Sequence, residues 1–190
     1  KGVKYDALWT PQVNLNDDRV YLGFRDLMEV RAANQFILAG VTPHAVRRAI
    51  KLAQEYVEAE RPLSTTRFKT DGRTIFLEIA EGEEDEKLFD LFKRQYAFSK
   101  IMEASLKDVE FDGITPSRWW IRSQKAGIVV DPEHSFGQPI EYETGIPTTV
   151  LAKAVKAEGS VAKAARAWMV DQKHVQRAVK FEKSLAGIAA

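Results

Sequence analysis

Apolar positions recur at helical spacing in two long parts of the chain, with short extended pieces before and between them. Phe24, Leu27, Met28, Phe36, Ile37 and Leu38 predict a helix ending at Gly40, a natural residue just past a helix C-terminus. Thr42 then caps a second helix with Pro43 in its first position, running to about Ala59 on Val46, Ala49, Ile50, Ala53, Tyr56 and Val57. The pair forms a helical hairpin. Before it, Trp9, Val13, Leu15, Val20 and Leu22 stand among Asn14, Asn16, Asp17 and Asp18, which predicts two extended pieces joined by a turn, in the manner of a wing or arm. After it, Arg67–Thr70 and Arg73–Ala80 flank Asp71-Gly72, a strong hairpin signal. The acidic run Glu81 to Glu86 opens a helix on Leu88, Leu91, Phe92, Tyr96, Ile101 and Met102, since carboxylates suit a helix N-terminus. Val109–Phe111, Ile121, Gly127–Val130 and Pro139–Tyr142 predict short strands, and Pro116–Trp120 a linker whose tryptophans pack onto something.

The C-terminal helices carry the clearest functional pattern. Pro147 opens a helix that Gly159 stops. From Ser160 to Lys180 two short helices come next, with Ser160 and Asp171 as N-caps and a tight turn between them. Ala164, Ala165, Trp168, Val170, Val175, Ala178 and Val179 supply the inward faces, at the spacing of a DNA-reading helix-turn-helix. The turn position that is often glycine is Met169. The second helix turns Gln172, Lys173, Gln176, Arg177 and Lys180 outward, and Lys163 adds charge from the first. Gln and Arg can meet base edges, and Lys can meet phosphates. The alternative is a plain helical hairpin with a solvated basic face. Val41 to Lys51 echoes Val170 to Lys180, which a capped helix after a tight turn explains.

Charge sharpens this picture. The net charge is only +1, yet from Pro147 onward eight basic residues face three acids (Glu158, Asp171 and Glu182). A polyanion is drawn to that end and repelled by residues 81 to 86. The absence of cysteine excludes disulfides and thiolate chemistry and fits a cytoplasmic protein. No apolar run approaches the roughly 20 residues that cross a bilayer.

No catalytic, cofactor or metal motif is visible. His44, His134 and His174 are isolated in sequence, and no phosphate-binding glycine loop is present. Asp131-Pro-Glu133-His134 reads as a capping cluster. Trp119 and Trp120 point opposite ways in an extended segment and so form no single stacking platform; core packing is the better reading.

Ile128-Val-Val-Asp-Pro132, Phe136-Gly-Gln-Pro139, Gly145-Ile-Pro147 and the three helices to Phe181-Glu-Lys183 resemble the antitoxin family known as domain of unknown function 433. Leu22 to Leu27, Ala39 to Thr42 and Val46 to Ile50 resemble the region just C-terminal to the winged helix in MerR-like regulators. In that order they are similar to VapB-type antitoxins of a MerR-like kind, over roughly residues 20 to 80 and 127 to 185. Two positions depart from the pattern. The winged helix that comes first in such proteins is missing or reduced to residues 1 to 22, and the start at Lys1 rather than Met is that of a fragment or of a chain whose start is disordered. Glu143-Thr144-Gly145 replaces the usual glycine-threonine-arginine.

The expected fold is α+β and mainly helical. A MerR-like helical hairpin with small β elements (1–120) precedes a C-terminal three-helix helix-turn-helix unit (121–190). The resemblance implies a non-enzymatic, DNA-binding antitoxin. Its partners would be double-stranded operator DNA, a cognate PIN-type ribonuclease toxin and a second copy in a homodimer, for which Phe24, Met28, Phe36 and Tyr56 are candidate contacts, with core the better reading for most of them. The alternatives are a transcription regulator without a toxin and a scaffold that binds only protein.

Overall fold

The computed structural model describes residues 7–187, except 14, 16–18 and 20. Among these the chain is mainly helical, with eight α-helices and one small antiparallel sheet, the α+β class that the periodicity predicts. It divides into two units, residues 1–107 with 112–116, and residues 108–111 with 117–190.

The first unit holds α1 (Phe24–Leu38), α2 (Pro43–Val57), α3 (Thr66–Gly82), α4 (Glu86–Phe92) and α5 (Gln95–Leu106). The cap chemistry of α1 and α2 is as the residues imply. Gly40 is left-handed (φ +97°), and Thr42 Oγ1 accepts the Ala45 N–H at 3.1 Å. Five phenylalanines, Phe36, Phe68, Phe76, Phe92 and Phe98, make the centre of the core, with Phe76 stacked on Phe92 at 4.7 Å. Met28 and Phe36 are therefore core residues and cannot serve a dimer surface, whereas Tyr56 is exposed.

The hairpin expected at Asp71-Gly72 is replaced by α3. Phe68, Gly72, Ile75, Phe76, Ile79 and Ala80 are all buried at helical spacing, and Thr65 caps the helix by accepting the Phe68 N–H. Gly72 is there for close approach, not for a turn. A Cβ at this position would stand 2.6 Å from the Phe68 ring. The single helix expected over residues 88–102 breaks into α4 and α5, where the Arg73 guanidinium donates to the Phe92 and Lys93 carbonyls. Asp85 caps α4 by accepting the Leu88 N–H. No strand forms among the described residues 7–23; Asn14, Asn16, Asp17, Asp18 and Val20 lie outside them. Leu8 and Trp9 pack on the helical core instead.

Glu29 is fully buried on α1, where its two carboxylate oxygens accept the Leu63 and Ser64 N–H groups at 2.9 Å each. Beside it, the Asp26 carboxylate accepts the Gln12 and Gly23 N–H groups and pairs with Arg61 at 2.6 Å. Burial raises the Glu29 carboxyl from 4.5 to about 7, against the opposing pull of those two N–H donors. Between these values the folded chain holds the proton more tightly than the unfolded chain. Stability therefore falls as pH rises through this window, by up to about 3 kcal/mol. Asp26 shifts downward and acts only below it. Glu29→Gln should flatten the slope of urea midpoints measured from about pH 5 to 7.5. A variant that keeps the wild-type slope would rule Glu29 out as its source.

The second unit carries β1 (Val109–Asp112), β2 (Thr115–Trp120), β3 (Ile128–Val130) and β4 (Pro139–Glu141), in the order β1-β2-β3-β4. The turn end of the β1–β2 pair, 112–116, groups with the first unit. Trp120 sits opposite Val129, and Val129 opposite Ile140, so these three side chains form a small core. The stretch Pro116–Trp120 is thus a strand rather than a linker, because Trp120 is buried in the sheet and its Nε1–H donates to Glu110. Three helices complete the unit, α6 (Thr148–Glu158), α7 (Val161–Ala167) and α8 (Gln172–Ala186).

Candidate nucleic-acid interface on α7 and α8

Short-range chemistry sets the path of the chain here. Gly159 ends α6 in a left-handed conformation, and Ser160 Oγ accepts the Lys163 N–H to start α7. At the end of α7 the Met169 N–H donates to the Arg166 carbonyl and the Val170 N–H to the Ala165 carbonyl. That pair of bonds needs a left-handed residue between the helices, and Met169 provides it at φ +52°. The α1–α2 turn is built in the same way. There Gly40 donates to Ile37 and Val41 to Phe36. Asp171 occupies the N-cap of α8 without a side-chain capping bond.

Ala164 and Ala165 of α7 are buried against Val175 and Ala178 of α8 and Leu151 of α6. Small side chains at the crossing let the helices approach closely. Trp168, expected to face inward, is 42% exposed, since the turn begins at that residue and carries it off the buried face.

The outward residues of α8 fall into two rows. Gln172, Gln176 and Lys180 are exposed and lie four residues apart, so they form one stripe along the helix. Lys163 is exposed on α7. Lys173 and Arg177 form the neighbouring row, and both are held by carboxylates. Lys173 Nζ lies 3.1 Å from Glu143, and Arg177 Nη1 lies 2.6 Å from Glu143 and 2.9 Å from Glu141. The expectation of an outward Arg177 is corrected here: its side chain is half-buried and rests on Gly127, where a Cβ would come within 3.0 Å of Nη1.

Glu141 is the fixed point of this cluster. It is fully buried, and its Oε2 accepts the Thr144 N–H at 3.0 Å. Burial pushes its carboxyl upward, but the His174 ring, Arg177 and Thr144 outweigh this and hold it below the ordinary value. Glu143 is partly exposed, and Arg177, then Lys173, bring it down to about 2. Neither acid stands out in the sequence as a functional residue. Glu141 ends β4 and Glu143 lies in the turn that follows, so no periodic spacing in the sequence marks the pair.

A second charged group sits at β2 and β3. Asp131 accepts from Arg118 at 2.8 and 3.0 Å and from the Glu133 N–H, and His134 lies 3.1 Å away. This is the turn cluster that the residue order suggests.

No protein-family model and no curated protein matches the chain. Among solved structures, the crystal structure of Rv2018 from Mycobacterium tuberculosis is similar, with a TM-score of 0.65 and 21% identity. The match covers 83% of this chain and 78% of that one. At this identity the likeness supports the fold alone.

A non-glycine residue in the left-handed region costs about 1–2 kcal/mol, partly offset by its smaller unfolded-state entropy. The Met169 side chain is 91% exposed, so little packing compensates. Met169→Gly should therefore raise stability by about 0.5–1 kcal/mol in urea denaturation. A loss of stability would show that the exposed side chain makes a stabilising contact.

Proposed function

We propose that this chain is a non-enzymatic, DNA-binding antitoxin of the cytoplasm. In this reading α7, the Met169 turn and α8 are a helix-turn-helix, and α8 enters the major groove. The protein represses its own operon as a homodimer, reading paired half-sites about one DNA turn apart. It neutralises a cognate PIN-type ribonuclease by binding it. The observation that carries the DNA reading is the exposed row Gln172, Gln176 and Lys180 on a helix launched from a tight turn. Glutamine can bond an adenine edge at two points, and lysine meets phosphate. Lys163 adds phosphate attraction from α7. Lys173 and Arg177 join only when Glu143 and Glu141 release them. The toxin half rests on the order of the family-like motifs, with α1 and α2 as the MerR-like hairpin. No helix among the described residues is long and apolar enough to cross a membrane.

A protein-contact role for the same helices is favoured by one feature. Trp168 and Met169 are exposed side by side at the turn, and aromatic residues and methionine are enriched at interfaces.

Electrophoretic shift on the DNA upstream of the gene, repeated at rising salt, separates the two. Gln176→Ala should cost about 1–3 kcal/mol on the preferred site and relax sequence preference. Lys180→Ala should weaken all sequences alike and reduce the salt slope by about 0.9. Absence of a shift at low salt, or a Trp168→Ala defect with Lys180→Ala unaffected, favours protein contact. Co-expression with the neighbouring gene product tests the toxin. An antitoxin co-purifies with it and restores growth, and failure of both leaves a regulator without a toxin.

A further inference from the structure

Glu141, Glu143 and His174 come together where β4 runs beside α8, with one ligand atom from each within 4.8 Å of the others. Neighbouring acids by themselves signify little. The histidine is different. Its side chain is 8% exposed, and Nδ1 lies 2.9 Å from Glu141 Oε1, yet that nitrogen makes no hydrogen bond. The oxygen is near enough to accept but stands outside the cone in which a ring N–H donates. A buried polar atom in that state calls for a partner.

A metal cation fits this relation better than a proton does. With metal–ligand bonds of about 2.1 Å, two ligand atoms about 2.9 Å apart subtend roughly a right angle at the ion. An ion on the axis of the ring nitrogen then leaves the oxygen well off that axis. An open depression lined by Glu143, Met169, Asp171 and His174 gives the ion a way in from solvent. One imidazole with two carboxylates suits a zinc-class cation, since magnesium and calcium favour oxygen alone. The two carboxylate charges also balance a divalent ion.

We propose that Glu141, Glu143 and His174 bind one divalent cation of the zinc class, with a water in the open fourth position, and that the ion displaces the Arg177 guanidinium from both carboxylates. Arg177 Nη1 now occupies the place between Glu141 and Glu143 that the ion would take, and Lys173 holds Glu143 from outside. With Arg177 displaced and the Glu143 charge taken up by the ion, which also loosens Lys173, both cations are available to the face of α8 that carries Gln172, Gln176 and Lys180. This last step rests on the DNA reading given above; the site itself does not.

Calorimetric titration of the metal-free protein with Zn2+, without DNA, tests the site. Binding should saturate at one ion per chain, and Co2+ should give the visible absorption of a four-coordinate complex. Glu143→Gln, a partly exposed change that spares the core, should weaken binding at least tenfold. Arg177→Gln should tighten it several-fold by removing the competitor. Absence of saturable binding, or equal binding by wild type and both variants, overturns the proposal. Gel shift with and without Zn2+ tests the coupling, where the ion should raise DNA affinity and steepen its salt dependence by up to about two phosphate contacts. If Zn2+ binds and DNA binds but neither affects the other, the release of Arg177 is wrong and the site stands. If Zn2+ binds and DNA does not bind with or without it, the DNA reading fails and the site again stands.

Discussion

Each unit is arranged around a carboxylate that is withdrawn completely from water, Glu29 in the first and Glu141 in the second. A buried carboxyl group without partners is unfavourable, so donors must converge on it. Around Glu29 they are the backbone N–H groups of Leu63 and Ser64, which ties the segment before α3 to α1. Around Glu141 they are the Thr144 N–H and the Arg177 guanidinium, with the His174 ring 2.9 Å away. The second set has a wider consequence. His174 and Arg177 both lie on α8, so the charge on β4 helps to fix the rotation of that helix about its axis. Alanine packing alone leaves that rotation loosely defined, because small side chains offer few interlocking surfaces.

The same constraint divides the chemistry of α8. A basic helix seen as a wheel suggests five equivalent outward groups. In the folded unit Gln172, Gln176 and Lys180 face solvent, while Lys173 and Arg177 neutralise acids of their own chain. A polyanion approaching α8 therefore meets a face less positive than its composition implies. The remaining attraction is local and oriented along one row, which favours alignment over indiscriminate adhesion.

Local signals make much of the fold legible in the sequence. Gly40, Thr42, Pro43, Gly159 and Ser160 mark helix ends because capping is settled within four residues of chain. At α3 a local signal competes with a periodic one, and the periodic one wins. Asp71-Gly72 suggests a turn, yet the burial of Phe68, Ile75, Phe76 and Ile79 at helical spacing decides the outcome. Pro116–Trp120 is hidden for the converse reason, since a strand stabilised mainly by Trp120 packing on Val129 and Ile140 has little alternation to show. The candidate site is legible on α7 and α8 but not on β4. Glu141 and Glu143 lie more than thirty residues before Arg177, and only the approach of β4 to α8 joins them.

That approach also limits how the cluster can change state. Glu143 is brought down to about 2 by Arg177 and Lys173, so it stays ionised throughout the physiological range. Glu141 is likewise held below its ordinary value. Protonation of the carboxylates is therefore not a means of freeing the two cations. Only a competitor can do so, either an anion that draws Arg177 and Lys173 outward or a cation that replaces them on the acids. Nucleic acid is an agent of the first kind and a divalent metal of the second. They act on opposite partners of one set of ion pairs, so occupancy by either lowers the work required of the other.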